Sequence, residues 1–394
     1  MPNQRLSNFI LFSHLELTRT FQWPRWQNNY ECKVRKRHAF CSKCGVLSES
    51  IYDHRLVKVK DAPLRQYGVL LHIRKRRFFC RECQKPFTEK LEGILPKQRT
   101  TQRYQQNLLW AAETFQNLSQ VCRQFRCSSG FLYRALYDQL ERKRKRNLYP
   151  WPEVIGIDEH SFQSRRKGSI PFATLIVDYK NKKPFELVGS KQKERLTEAL
   201  AHIPGRENVK RVALDLSDSF RSFVRDFFPN AELVADKFHV LRLVHPMILQ
   251  ERKKIAVHKP HSLHLRRLLL SAPHRLSWED KSDLHNLLDE HPKLKTLWFA
   301  KERLHAFYRT RGVDRARWAL HKLIDNLKST GLPELQRLAR TLFRWAKEIL
   351  NYFERRITNA RTEGFNRIAK LVNMRACGYK RFENYRLRFL CACF

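Results

Sequence analysis

The sequence has 394 residues and is strongly basic, with 78 Lys and Arg against 38 Asp and Glu and a formal net charge of +40. A charge this far from zero favours a nucleic-acid partner. A membrane-spanning segment is not expected, because no apolar stretch approaches the roughly 20 residues it needs, and nothing at the N-terminus resembles a secretion signal. We therefore expect a cytoplasmic, nucleoid-associated protein of about two to three domains.

The first predicted domain, residues 1–95, contains two Cys-x-x-Cys pairs separated by 35 residues: Cys41 with Cys44, and Cys80 with Cys83. Four thiolates in this pattern are typical of structural Zn²⁺ in a reducing compartment. Strand-like segments at 55–60 and 69–73 predict a hairpin between the pairs, and Cys32 is the alternative ligand. The remaining cysteines are predicted to be small core residues: Cys122, Cys127, Cys377, Cys391 and Cys393.

Residues 96–150 predict a linker, beginning at Pro96, and then a helix-turn-helix. Two amphipathic helices are joined by a tight turn, with Ser119 and Ser128 as the expected N-caps. Any helical hairpin has similar spacing, but the neighbouring cysteine pairs and the net charge favour a DNA-reading element. The second helix would present three side chains to a groove: Ser129, Phe131 and Arg134.

Residues 151–394 predict a mixed α/β sheet domain. Three short apolar runs each end in an aspartate: Asp158, Asp215 and Asp236. With two further strand-like runs and two helices, the second of them capped by Asp218 or Ser219, the order is β-β-β-α-β-α-β, that of a ribonuclease-H-like fold. Carboxylates at the carboxyl ends of separate strands would form an oxygen-rich site for Mg²⁺ or Mn²⁺.

A helical insertion is predicted at about 240–356, followed by a helix at 359–373. Its inward stripe is Phe365, Ile368, Ala369 and Val372, and its opposite stripe is Glu363, Asn366, Arg367 and Lys370. A carboxylate beside cations that contact phosphate oxygens is chemically coherent, and a solvated ion-paired helix face is the alternative.

These motifs together resemble the ISL3 group of bacterial insertion-sequence transposases, which belong to the DDE superfamily. The resemblance runs nearly from end to end and includes GIDEHSF at 156–162, LDLSDSF at 214–220, FPNAELVADKFHV at 228–240 and TNARTEGFNRIAK at 358–370. It implies metal-dependent cleavage of double-stranded DNA at transposon ends and transfer to a target, by a homo-oligomer assembled on DNA.

The resemblance also implies roles for single residues. Asp158, Asp215 and Glu363 match the catalytic carboxylates that hold Mg²⁺ or Mn²⁺. Asp236 and His239 resemble a D-x-x-H element, so Asp236 is the rival to Asp215, and His239 contacts either the site or the DNA, or is structural. Two other functions stay open: a DNA-binding regulator that has lost catalysis, and a ribonuclease-H-like repair nuclease.

Overall fold

The contacts along the chain divide it into an N-terminal unit, Met1–Lys143, and a C-terminal unit, Arg144–Phe394. The computed structural model describes residues 12–392 except 96–97, 115–116, 163–171 and 256–262. Pro96 and Cys393 therefore lie outside the described residues. Within the described segments, no helix is long and apolar enough to cross a bilayer.

The N-terminal unit is built on a sheet with strand order β1-β2-β6-β5 and with β7 paired to β6. The strands are β1 (Leu15–Gln22), β2 (Gln27–Val34), the short β3 (Ala39–Phe40) and β4 (Leu47–Ser48), β5 (Ile51–Leu64), β6 (Tyr67–Cys80) and β7 (Lys85–Thr88). The antiparallel pairing of β5 with β6 confirms the predicted hairpin between the cysteine pairs. Alternate residues of β6 are buried in a small apolar core, which fixes the register that delivers Cys80.

Three helices follow: α1 (Gln102–Glu113), α2 (Leu118–Phe125) and α3 (Ser129–Arg146). Arg126 ends α2 in the left-handed conformation, and the turn is short, as predicted. Ser128 caps α3 as expected, because its Oγ accepts the N–H of Phe131 at 3.2 Å. The second helix has 18 residues and is longer than the short helix predicted.

Two predicted N-caps are wrong. Asn117, not Ser119, caps α2, because its side chain accepts the N–H of Ser119 at 2.8 Å. Ser217, not Asp218 or Ser219, caps the helix after the second aspartate strand. In both places a good capping residue stands one position before the helix begins, where the unpaired N–H groups point.

The C-terminal unit contains a five-stranded sheet of order β10-β9-β8-β11-β12. Its elements are β8 (Val154–Ser161), β9 (Phe172–Asp178), β10 (Lys183–Val188), α4 (Lys193–Leu200), β11 (Arg211–Leu214), α5 (Asp218–Phe227) and β12 (Glu232–Ala235), which confirms the predicted order of strands and helices. The first three strands pair antiparallel, and β11 is parallel to both β8 and β12. Leu214 lies opposite both Ile157 and Ala235, so the three aspartates that follow these residues begin level at one sheet edge.

Every regular element described after β12 is a helix. They are α6 (Lys237–Arg242), α7 (His245–Ile255), α8 (Leu263–Leu270), α9 (Trp278–Glu290), α10 (Pro292–Phe307), α11 (Val313–Ser329), α12 (Pro333–Arg344), α13 (Ala346–Arg355), α14 (Ala360–Arg375) and α15 (Phe382–Ala392). A continuous apolar core joins the sheet to helices from α4 to α13. Apolar burial at this scale is the main stabilising contribution to the unit, and it fixes the sheet edge where the aspartates lie.

The helix α14 is oriented differently from the prediction. Ala369 and Val372 are buried as expected, but Ile368 is 39% exposed, and Thr362 is fully buried. The predicted inward stripe is therefore wrong at Ile368, because packing rotates the helix so that part of its polar stripe meets the sheet edge.

Candidate active site and zinc cluster

The four cysteines of the two Cys-x-x-Cys pairs come together in the N-terminal unit. The sulfurs of Cys41, Cys44, Cys80 and Cys83 all lie within 4.8 Å of one another, with 3.9 Å from Cys41 to Cys83 and 3.5 Å from Cys44 to Cys80. A tetrahedral zinc site with Zn–S bonds of about 2.3 Å has S···S separations of about 3.8 Å. The cluster therefore fits structural zinc.

Backbone groups support the same interpretation. The N–H of Lys43 donates to Cys41 Sγ at 3.4 Å, and the N–H of Cys83 donates to Cys80 Sγ at 3.5 Å. Hydrogen bonds from the backbone N–H groups of Cys44 and Lys43 lower the pKa of Cys41 to about 6, whereas the hydrogen bond with the Cys44 thiol and burial raise the pKa of Cys83 to about 12. Cys32 lies apart, in the apolar core of the sheet, and burial raises the pKa of its thiol to about 12. Cys32 is thus a core thiol and not part of the cluster.

A second cluster lies at the sheet edge of the C-terminal unit. Asp158 of β8, Asp215 after β11 and His239 of α6 each offer a ligand atom, and these atoms all lie within 4.8 Å of one another. The parallel register of β8 with β11 explains why the two aspartates meet, since Ile157 and Leu214 are direct partners. Two oxygen ligands and one nitrogen ligand make a donor set suited to a divalent cation.

The surroundings of the two carboxylates raise the pKa of both. Burial raises the pKa of Asp158 to about 6, and Asp215 raises it further while His239 lowers it. Burial also raises the pKa of Asp215, whose Oδ1 is buried without a hydrogen-bond partner among the described residues. Such an unpaired carboxylate oxygen beside a second carboxylate is costly unless a cation is bound, so these residues fit a metal ion.

Asp236 has a different environment, although its sequence context resembles that of Asp215. It is fully buried, and its Oδ1 accepts the N–H of Asn359 at 2.9 Å. Its Oδ2 accepts the backbone N–H of His239 at 3.2 Å and bonds to His239 Nδ1 at 2.9 Å. Burial alone would raise the pKa of Asp236, but the bonds from His239 and Asn359 outweigh it and lower the pKa. Asp236 therefore caps the N-terminus of α6 and fixes the imidazole of His239. It lies outside the cluster of Asp158, Asp215 and His239.

The bond from Asp236 also determines how His239 presents its ring. Its pKa is raised, first by the hydrogen bond to Asp236 and then, against burial, by the charges of Asp236, Asp158 and Asp215. Since Nδ1 is engaged by Asp236, Nε2 is the nitrogen available to Asp158 and Asp215. A carboxylate behind a histidine fixes the ring orientation in many metal sites.

Glu363 lies outside the Asp158–Asp215–His239 cluster. It sits in the first turn of α14, and its Oε1 pairs with Arg242 Nη1 of α6 at 3.2 Å. One turn later, Asn366 reaches the site instead, and its Nδ2 donates to Asp158 Oδ2 at 2.8 Å. The rotation of α14 thus presents an amide to Asp158, while the exposed cation of Arg242 attracts Glu363.

The predicted DNA-contacting side chains lie mostly on the surface. Arg367 and Lys370 are exposed on α14. On α3, Ser129 and Arg134 are exposed, and Phe131 is half-buried. Their accessibility is compatible with DNA contacts, and their roles stay predictions.

Sequence reasoning missed two buried residues that connect to Asp158 through Asn366. His160 Nδ1 lies 3.2 Å from Asn366 Oδ1, and Tyr385 Oη of α15 lies 2.5 Å from His160 Nε2. Burial lowers the pKa of His160 to about 4. One signal could have indicated His160, because residues i and i+2 of a strand share a face and His160 follows Asp158 by two.

Comparisons with known proteins agree with this geometry. Residues 155–389, which span the carboxylate strands and α14, match a family model of ISL3 transposases with a DDE domain. Residues 37–83, which span all four clustered cysteines, match the zinc finger of the IS204/IS1001/IS1096/IS1165 transposases. The chain is also similar to the transposase for insertion sequence element IS1001 of Bordetella parapertussis, with 22% identity over 364 residues that cover 89% of this chain and 88% of that protein. The protein therefore belongs to the ISL3 family of transposases and carries the zinc-finger segment found in that group.

Proposed function

We propose that this protein is an active transposase that cleaves double-stranded DNA at the ends of an insertion sequence and transfers those ends to a target. The observation that carries the proposal is the cluster of Asp158, Asp215 and His239 at the carboxyl edge of the sheet. The strand order β10-β9-β8-β11-β12 supports a ribonuclease-H-like catalytic domain, and the helices after β12 supply its all-helical insertion at about 240–356.

Asp158 and Asp215 would hold Mg²⁺ or Mn²⁺, with Glu363 as the third carboxylate. Bound divalent ions would activate the attacking oxygen and stabilise the leaving oxygen at phosphorus. Glu363 lies one turn before Asn366 on α14, and Asn366 bonds to Asp158, which supports assigning Glu363 to the same site. Its pair with Arg242 is more than half exposed on the arginine side, and such pairs contribute only about 0–1 kcal/mol. Releasing Glu363 from Arg242 therefore costs little.

His239 is proposed to position the phosphate that is cut. Asp236 holds Nδ1, which leaves Nε2 for the space beside Asp158 and Asp215. A protonated imidazole there donates a charge-assisted hydrogen bond to a phosphate oxygen. Asp236 is a positioning residue in this assignment, because it acts through His239.

The two units would share DNA binding. We assign reading of the transposon ends to the N-terminal unit, where α3 would present Ser129, Phe131 and Arg134 to a groove in the manner of a helix-turn-helix. Arg367 and Lys370, exposed on α14 near Glu363, would contact phosphates. The protein would act as a homo-oligomer assembled on DNA.

Cleavage of a duplex that carries the terminal repeats, with Mg²⁺ or Mn²⁺, tests the proposal. Asp158→Asn and Asp215→Asn should abolish cleavage and leave binding nearly intact. Asp218→Asn is the matched control, because Asp218 is exposed and paired with Arg344 at 3.3 Å. Retained cleavage in Asp158→Asn would overturn the assignment, and binding without cleavage in the unaltered protein would favour the DNA-binding regulator.

Glu363→Gln tests the third carboxylate separately. It should weaken Mn²⁺ binding and cleavage together, whereas Arg242→Gln should tighten Mn²⁺ binding by removing the competing cation. Equal Mn²⁺ affinity in Glu363→Gln and the unaltered protein would remove Glu363 from the metal-binding set.

A further inference from the structure

We infer that Tyr385, His160 and Asn366 form a directional hydrogen-bond relay that orients the Asp158 carboxylate, so that the last described helix of the chain is part of the active-site support. The inference rests on the proposed function for its metal-binding consequence. The relay itself rests on the positions of the four side chains.

The direction of each hydrogen bond follows from the Asp158 end. An ionised carboxylate only accepts hydrogen bonds, so Asn366 must present Nδ2 to Asp158 Oδ2, as it does at 2.8 Å. Its Oδ1, which also only accepts, then faces His160 Nδ1 at 3.2 Å. His160 Nδ1 must therefore carry a hydrogen.

The Tyr385 end completes the chain. His160 is 1% exposed, and its two ring nitrogens face an amide and a phenol. A buried imidazole bonded to two neutral groups is favoured in its neutral form, so Nε2 is an acceptor. The hydroxyl of Tyr385, 2.5 Å away, then donates to it.

Aromatic packing keeps the relay in place. The rings of His160 and Tyr385 stack with centroids 5.7 Å apart, and Phe162 stacks on Tyr385 at 4.9 Å. Tyr385 and Phe389 of α15 are fully buried. The relay therefore connects α15 and α14 to Asp158 of β8.

The relay has a consequence for the metal site. Asn366 fixes Oδ2 of Asp158, and the N–H of Glu159 fixes Oδ1 at 2.8 Å. Both oxygens are thus oriented before a cation arrives, with lone pairs remaining for it. Partners behind a ligand tune metal affinity, and losing one costs about 10–100-fold. Asn366, His160 and Tyr385 are positioning residues in this sense.

Mn²⁺ affinity measured by electron paramagnetic resonance tests the graded effect in the full-length protein. Asn366→Leu should weaken binding by about tenfold or more, and Tyr385→Phe should weaken it less, because it acts two bonds further away. Tyr149→Phe is the matched control, since it removes the hydrogen bond of another tyrosine hydroxyl in the same unit, to Asp178 at 2.8 Å. Equal affinities in Tyr385→Phe and Tyr149→Phe would overturn the relay.

Substitutions at His160 separate positioning from folding. His160→Asn keeps an N–H donor on the same side of the side chain as Nδ1, so it should retain more Mn²⁺ affinity than His160→Leu. If His160→Leu fails to fold, His160→Asn and Tyr385→Phe still decide the question. Equal affinity of two folded His160 variants contradicts a donor role.

Nitrogen NMR of labelled histidine tests the relay independently of any metal. His160 should be the neutral Nδ1–H tautomer in the unaltered protein and should become a tautomer mixture in Asn366→Leu, because the amide oxygen that requires a donor at Nδ1 is then absent. An Nε2–H tautomer in the unaltered protein would overturn the relay. If the unaltered protein shows the Nδ1–H tautomer but binds no Mn²⁺, the metal site of the proposed function fails while the relay stands.

Discussion

Replacing Asp236 by Ala should lower the free energy of unfolding of the C-terminal unit, whereas replacing Asp215 by Ala should leave it unchanged or raise it. Asp236 is fully buried and accepts hydrogen bonds from Asn359 and from both the backbone and the ring of His239. Asp215 Oδ1 is buried without such a partner in the described segments, and burial raises the pKa of Asp215. Two aspartates on neighbouring strands should therefore have opposite effects.

Three contributions set the size of the loss at Asp236. Removing an N-cap costs about 1 kcal/mol. An unpaired buried N–H at Asn359 costs about 1–3 kcal/mol, and a hydrogen bond that involves a charged group is worth about 1.5–3 kcal/mol. The Asp236 side chain makes all three contributions, but removing it also removes the cost of burying a carboxylate. We therefore expect the free energy of unfolding to fall by about 3–4 kcal/mol. At Asp215, relief of repulsion with Asp158 offsets the lost packing.

Urea unfolding, followed by circular dichroism without added Mg²⁺ or Mn²⁺ and with zinc retained, measures both changes. Adding Mn²⁺ should then stabilise the unaltered protein but not Asp215→Ala, because a ligand stabilises only the state that binds it. If Asp215→Ala lowered the free energy of unfolding by about 3 kcal/mol and Asp236→Ala lowered it by less than about 1 kcal/mol, the assignment would be reversed and Asp236 would be the second metal ligand.

Three further predictions concern zinc, pH and DNA. Metal analysis of the full chain should give one equivalent of zinc, lost together with the fold of the N-terminal unit in Cys80→Ser and retained in the control Cys32→Ser. Because burial raises the pKa of Asp158 to about 6, Mn²⁺ titrations should show tighter binding as the pH rises through about 6. The stability that this carboxyl contributes is complete below its unfolded pKa of 3.8 and lost as the pH rises through about 6; pH-independent Mn²⁺ affinity across this window would contradict the assignment. In binding assays at two salt concentrations, Arg134→Ala should reduce the preference for transposon ends, whereas Arg367→Ala should weaken binding to all duplexes and lower the salt slope by about one; the opposite pattern would exchange the two roles.

The strands that carry the site could be predicted from the sequence because short apolar runs bounded by turn residues are a local signal. The roles of Asp215 and Asp236 were harder, since each follows such a run. The residues after them decide the difference. Ser217 is available to cap α5, which frees Asp215, whereas α6 begins directly after Asp236, which must itself cap the helix. Reading the capping pattern would have indicated that Asp236 is turned back toward the protein.

The position of α14 could not be predicted in the same way. Glu363 and Asn366 lie on one stripe of the helix, so helical periodicity alone does not decide which of them contacts Asp158. Their difference arises from residues distant in sequence: Arg242 attracts Glu363, and β8 receives Asn366. Tyr385 is similarly remote, and its partner His160 precedes it by 225 residues. Such contacts depend on tertiary packing and are not marked by any pattern in the neighbouring sequence.

The side chains of the site differ in how far they are fixed before a cation binds. Asp158 is held at both oxygens, and His239 is held at Nδ1 by Asp236. Asp215 Oδ1 is left unpaired within the described part of the chain, and Glu363 is held only by an exposed ion pair. A cation would therefore meet one carboxylate that is already oriented, Asp158, and would have to order Asp215 and Glu363. Because ordering fewer groups costs less conformational entropy, the fixed orientation of Asp158 would lower the cost of binding.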